Sequence, residues 1–196
     1  MYRLPEAILT MIIYENSTVA VGLRAVAEPG AERSLATQRR AVAALMKELF
    51  KGEAPPIGHT PDGAPTLPGG RSVSVSHCRH AVAVAVDTAG RRIGVDVDTR
   101  GRDVTLSRVA PRFLSPGQMA AWSATAGTLL TAWSIKEALY KAVGQRGWSL
   151  ADIPLPADCQ NFLLSGKAEV EAFGDSYRLL SLPSAAGCGP VILALG

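Results

Sequence analysis

Short runs of period-two alternation dominate this chain. Ser72 to Ser76 alternates serine with valine, and Ala81 to Val86 alternates alanine with valine. The two runs predict a hairpin turning through Ser76-His77-Cys78-Arg79-His80. The next run, Arg92 to Asp98, puts Ile93, Val95 and Val97 on one face and Gly94, Asp96 and Asp98 on the other. Upstream, Ala7 to Tyr14 and Val19 to Val26 read as two strands joined by the turn Glu15-Asn16-Ser17. Two stretches change to helical spacing. Glu32 to Phe50 places Leu35, Val42, Leu45, Met46 and Leu49 on a buried side, and Gly52 stops it. Leu129 to Val143 lines up Trp133, Glu137 and Lys141 on one stripe, and Gly144 and Gly147 end it. Ser115 as N-cap, Pro116 behind it and Gln118 form a capping-box start, preceded by a polar helix or loop. The Pro- and Gly-rich stretch Glu53 to Gly70 is a connection longer than a minimal turn needs. The tail predicts four strands: Asn161 to Leu164, Ala168 to Phe173, Tyr177 to Leu182 and Val191 to Leu195.

These elements predict an α+β fold in two tightly packed halves, residues 1–90 and 91–196, with a shared core rather than a flexible linker. The 196 residues suit one large domain or two small ones in close contact. Cys78, Cys159 and Cys188 are widely spaced, with neither a zinc signature nor a disulfide framework, which points to a reducing, cytoplasmic setting. No apolar run reaches membrane-spanning length. The net charge of +3 is scattered, and no basic run with interleaved aromatics suggests nucleic acid. Mild basicity suits an anionic ligand or an acidic protein partner.

The chemistry gathers on two elements. An Asp-x-Asp alone is usually an exposed pair on an edge strand. Here Val95 and Val97 imply a strand buried on one side, and like charges on its other face are costly unless a cation joins them. Glu137 and Lys141 alone would be a surface ion pair worth a fraction of a kcal/mol. The apolar Ile135, Leu139 and Val143 instead place much of this helix in the interior. Asp96, Asp98 and Glu137 together suit a hard cation such as Mg²⁺, and flanking lysines suit a pyrophosphate. Lys141 would add charge on the same phosphates, and Glu137 or a metal-bound water would accept a proton.

Four segments in this order resemble the 4′-phosphopantetheinyl transferases: Gly63-Ala64-Pro65, Ser74-Val75-Ser76-His77, Gly94-Val95-Asp96-Val97-Asp98, and Trp133-Ser134-Ile135-Lys136-Glu137-Ala138-Leu139-Tyr140-Lys141. The likeness is to the larger, surfactin-synthetase-activator type, in which one chain forms a pseudo-dimer of two similar α+β halves around a central cleft. It implies a holo-acyl-carrier-protein synthase activity. Phosphopantetheine passes from coenzyme A to a serine of an apo acyl- or peptidyl-carrier protein, and 3′,5′-ADP leaves. It implies Mg²⁺, or Mn²⁺, on Asp96, Asp98 and Glu137, with Glu137 and Lys141 catalytic. It implies coenzyme A contacts from Arg33, Ser76, His77, Lys136 and Lys141. Ala64 stands where the family usually has a basic residue. Asp98 stands where the larger type usually has Glu, a shorter reach that suits binding through water. With a candidate phosphate set in one half and a metal set in the other, an active monomer is expected. The alternatives are a catalytically silent relative that binds coenzyme A or a carrier, and a Mg²⁺-dependent pyrophosphate hydrolase.

Overall fold

A computed structural model describes residues 10–26, 35–123, 127–144 and 147–196. In chain order the elements are β1 (Thr10–Glu15), β2 (Val19–Ala25), α1 (Leu35–Leu49), β3 (Gly58–His59), β4 (Pro65–Thr66), β5 (Ser72–His77), β6 (Ala81–Asp87) and β7 (Ile93–Asp96). There follow α2 (Asp103–Phe113), α3 (Pro116–Trp122), α4 (Thr128–Val143), a 3₁₀ turn at Leu150–Asp152, α5 (Cys159–Ser165), β8 (Lys167–Ala172), β9 (Asp175–Leu182) and β10 (Val191–Leu195). The mixed α+β class expected from the patterns is what forms.

Two four-stranded antiparallel sheets hold the fold together, ordered β1-β2-β6-β5 and β7-β10-β9-β8. Their layering follows from the alternation. Ala81, Ala83 and Ala85 of β6 face the second sheet, where Ile93, Val95, Val97, Val191, Leu193 and Leu195 meet them. The intervening Val82, Val84 and Val86 face outward and pack on Leu45 and Met46 of α1. On the second sheet Ile192 and Ala194 face the other way, into a core with α4, Phe113 and Trp122. The order of layers is therefore helix, sheet, sheet, helices. Small alanines on one face of β6 bring the sheets close, while branched valines on the other fill the space under α1.

The capping box at Ser115 forms as the sequence predicts. Gln118 also donates from Nε2 to the Ile153 carbonyl, which ties α3 to the 3₁₀ turn. The polar stretch after Asp98 is the helix α2, fixed to α4 by an edge-on contact between Phe113 and Trp133 at 5.2 Å. One expected strand is corrected: Asn161 to Leu164 lies inside α5. Asp158 accepts from the Asn161 amide at 2.9 Å and so caps that helix. The long connection holds the two-stranded β3–β4 pair. Among the described residues no helix is long and apolar enough to cross a membrane.

Candidate active site

Glycine at position 94 decides how close α4 comes to β7. A Cβ there would stand 1.9 Å from the Ala138 carbonyl oxygen and 2.7 Å from the Ala142 nitrogen. With only hydrogen at that place, α4 lies directly on the strand. Glu137 and Lys141, one turn apart, then come beside Asp96, which points to the same face as Gly94.

Asp96 is 5% exposed. Its Oδ1 accepts from Lys141 Nζ at 2.9 Å and from Ser76 Oγ at 2.9 Å. Its Oδ2 is buried and meets no donor. A buried carboxylate with one oxygen doubly served and the other bare is costly in this state, and a cation on the bare oxygen would relieve the cost. Burial pushes the Glu137 carboxyl above the usual carboxylate range, and the neighbouring charge of Asp96 pushes the same way, against the pull of Lys141. Asp96 Oδ2 and Glu137 therefore fit a hard divalent cation. Asp98 lies near Asp96 and Glu137 but is engaged by other partners. Its Oδ2 pairs with Arg102, and its Oδ1 accepts from the Thr99 amide at 2.7 Å. Burial raises its carboxyl, opposed by those two contacts. Among the described residues no three His, Cys, Asp or Glu side chains are gathered into one ready cluster.

The edges of the two sheets meet here. Val95 turns its N–H and C=O away from β10, and both are served by side chains. Ser74 Oγ accepts from Val95 N at 3.0 Å, and Lys141 Nζ donates to Val95 O at 3.0 Å. Ser76 Oγ likewise accepts from Val97 N at 3.2 Å. The alternating serines of β5 thus replace a strand neighbour for β7.

Two residues expected to contact coenzyme A are engaged inside the protein here. Phosphate oxygens need donors, and the single O–H of Ser76 is already given to Asp96. Here Ser76 positions the Asp96 carboxylate. Lys136 is wholly buried. Its ammonium donates to the carbonyls of Leu150 at 2.8 Å and Ile153 at 2.5 Å, holding the 3₁₀ turn against α4. Burial brings it down to about 8. His77 lies exposed at the end of β5, open to a ligand. Arg33 lies outside the described residues.

A cavity of about 460 Å³ opens between the long connection and the C-terminal end of α4, lined by Thr60, Gly63, Ala64, Pro65, Tyr140 and Lys141 among others. A second, of about 390 Å³, shares Pro65 and Lys141 and adds Arg71 and Arg92. Lys141 belongs to both cavities and to the carboxylate cluster. Tyr140 stands at a variable position of the W-x-x-K-E-x-x-x-K segment, and Arg71 and Arg92 belong to no motif, so the sequence had no signal to single them out as wall residues.

Residues 92–169 match the sequence model of the 4′-phosphopantetheinyl transferase superfamily. The matched segment contains Asp96, Asp98, Lys136, Glu137 and Lys141 and supports a transferase of this kind. The first sheet, with Ser76 and His77, lies outside it. No curated protein matches the chain.

Proposed function

We propose that this protein transfers the 4′-phosphopantetheine group of coenzyme A to a serine of an apo acyl- or peptidyl-carrier protein, releasing 3′,5′-ADP. The observation that carries the reading is Asp96. It is buried, bonded through Oδ1 to Lys141 of the W-x-x-K-E-x-x-x-K helix, and bare at Oδ2, within the segment that matches the superfamily. Asp96 Oδ2 and Glu137 would hold Mg²⁺, with Asp98 joining if it leaves Arg102. The bound ion supplies positive charge to the pyrophosphate. Lys141 adds a second positive charge from the cavity wall, where the phosphates of coenzyme A would lie. Glu137, or a water held beside it, would take the proton of the attacking serine hydroxyl. The serine oxygen bonds to the β-phosphorus as the bond to 3′,5′-ADP breaks. His77 and Arg33 hold phosphate oxygens, and the larger type of the family, active as a monomer, fits one chain carrying both sheets.

A binding-only reading draws on one feature: Asp98 is committed to Arg102. One experiment separates the two. Apo acyl- and peptidyl-carrier proteins are incubated with this protein, coenzyme A and Mg²⁺, and each carrier is weighed by mass spectrometry. Transfer predicts the mass gain of one phosphopantetheine on a serine. A folded protein that binds coenzyme A and modifies no carrier leaves the binding-only reading standing.

A further inference from the structure

Beside the carboxylate cluster, two cysteines far apart in sequence come together. Cys78 follows His77 in the turn between β5 and β6, and Cys188 precedes β10, a separation of 110 residues. Their Sγ atoms are 3.5 Å apart. Cys188 also pairs through its backbone with Thr99, next to Asp98. The two thiols therefore stand where the first sheet meets the second.

The surroundings of Cys78 are built for a charged sulfur. Cys188 Sγ lies within hydrogen-bond reach of its Sγ, and the Cys78 amide donates to the Ala81 carbonyl at 2.9 Å, which fixes the turn that carries it. The neighbouring Cys188 thiol chiefly, helped by the polar groups of His80, Ala81 and Thr99, lowers the Cys78 thiol against its burial. The same contact, with burial, pushes the Cys188 thiol well up. Cys78 is half-buried, whereas Cys188 is fully buried. One cysteine is thus the accessible attacking thiolate and the other waits behind it. Cys159, buried in α5 with its thiol raised by burial, has no such partner set.

We propose that Cys78 and Cys188 form a thiol–disulfide exchange site, which takes a low-molecular-weight disulfide and closes into a bridge tying the first sheet to the second. The Cys78 thiolate attacks one sulfur of the small disulfide, whose S–S bond breaks and releases one thiolate. Cys188 then loses its proton and attacks the Cys78 sulfur, expelling the second thiolate. Two protein thiols are oxidised, one small disulfide is reduced to two thiols, and the two cysteine protons end on those thiols. A disulfide bond is about 2.05 Å long, so the sulfurs must approach by roughly 1.5 Å. The inference does not rest on phosphopantetheinyl transfer and is tested without it.

The full chain, natively folded, is exposed to oxidised glutathione, quenched with an alkylating agent and mapped by mass spectrometry. A Cys78–Cys188 cross-linked peptide with alkylated Cys159 is expected. Cys188→Ser should stall as a glutathione mixed disulfide on Cys78, and Cys78→Ser should take up no glutathione. Closing a loop of this length should raise the thermal unfolding midpoint of the oxidised protein by about 5 °C or more, reversibly with dithiothreitol. Circular dichroism checks that the variants fold; where one does not, the wild-type cross-link and midpoint decide. The proposal is overturned by a folded wild type that forms no Cys78–Cys188 cross-link, by glutathione remaining on Cys78 in the wild type, or by a cross-linked protein whose midpoint is unchanged or lower.

Discussion

Asp96 is held on one side and left bare on the other. Its Oδ1 has two donors and its Oδ2 none, so the carboxylate is positioned at a cost to the folded chain. Asp96→Asn removes the buried charge and lets a new N–H replace the bare oxygen, while Lys141 keeps the Val95 carbonyl. Stability should change by no more than about 1 kcal/mol, because the lost charge-assisted bonds and the relieved desolvation offset. Transfer should fall at least about a hundredfold, since cation charge stabilisation amounts to several kcal/mol. Denaturant unfolding and a carrier mass assay check the two halves of this claim, and a folded Asp96→Asn protein with near-normal turnover would refute the assignment. Asp98 makes the opposite case. Its partner Arg102 is partly exposed, and such a pair is worth a fraction of a kcal/mol up to about 1. Freed by Arg102→Ala, Asp98 should turn to the cation and tighten Mg²⁺ binding a few-fold in calorimetric titration. Weaker binding would mean that Arg102 supports the site rather than competing for it. At this scale the sequence pointed to Asp96 and Glu137, which the fold brings side by side, but not to their hydrogen bonds. The outward direction of the Ser76 O–H and the inward turn of Lys136 depend on what lies across the sheet edge and under the helix, which no local pattern encodes.

The contact of α4 with β7 sets the site, and one glycine sets the contact. Gly94→Ala would drive a methyl into the backbone of α4 at Ala138 and Ala142. Backbone cannot swing aside as a flexible side chain can, so the cost should be about 3 kcal/mol or more. Any folded fraction should have Glu137 and Lys141 displaced from Asp96 and little transfer activity. A stable, active Gly94→Ala protein would show that α4 can shift without harm. Lys136 fastens the far side of the same helix. Unfolded, it titrates near 10.5, and folded near about 8, so between these values the unfolded chain binds a proton that the folded chain lacks. Stability from this group is therefore full above 10.5 and lost as pH falls through 8, by on the order of 3 kcal/mol. Lys136→Met should abolish that dependence. The difference in unfolding free energy, wild type minus variant, should rise from pH 8 to pH 10.5; a flat difference would show that Lys136 keeps its charge at little cost. Most elements were legible because their periods are clean. Asn161 to Leu164 was not: four residues are too few to tell a strand from a buried helical turn. Asp158, whose side chain caps α5, was the signal that separates them.

At the scale of the whole molecule, the alternation along β6 and β7 made a two-faced packing legible, since Ala81, Ala83 and Ala85 and their valine neighbours needed different partners. Which sheet each face would meet was not legible, because both partners lie far away in sequence. The chain order within the sheets was equally hidden: α1 follows two strands of the first sheet, whereas α2 to α4 follow only one of the second. What the assembled layers produce is a seam. Across it Ser76 reaches from β5 to Asp96 and to the Val97 amide, and Ser74 to the Val95 amide, so one chain brings both sides of the site together. If that internal seam is the working site, a second copy has nothing to add. Asp96→Ala lacks its cation-holding carboxylate and His77→Ala lacks its exposed imidazole, and each defect lies in a site formed within one chain. A mixture of the two variants should therefore show no more transfer than the sum of each alone, at any mixing ratio and at protein concentrations well above those of the assay. Recovery of substantial activity on mixing would mean that His77 from one copy serves Asp96 of another. The site would then be shared between subunits despite the hydrogen bonds that join β5 to β7 within the chain.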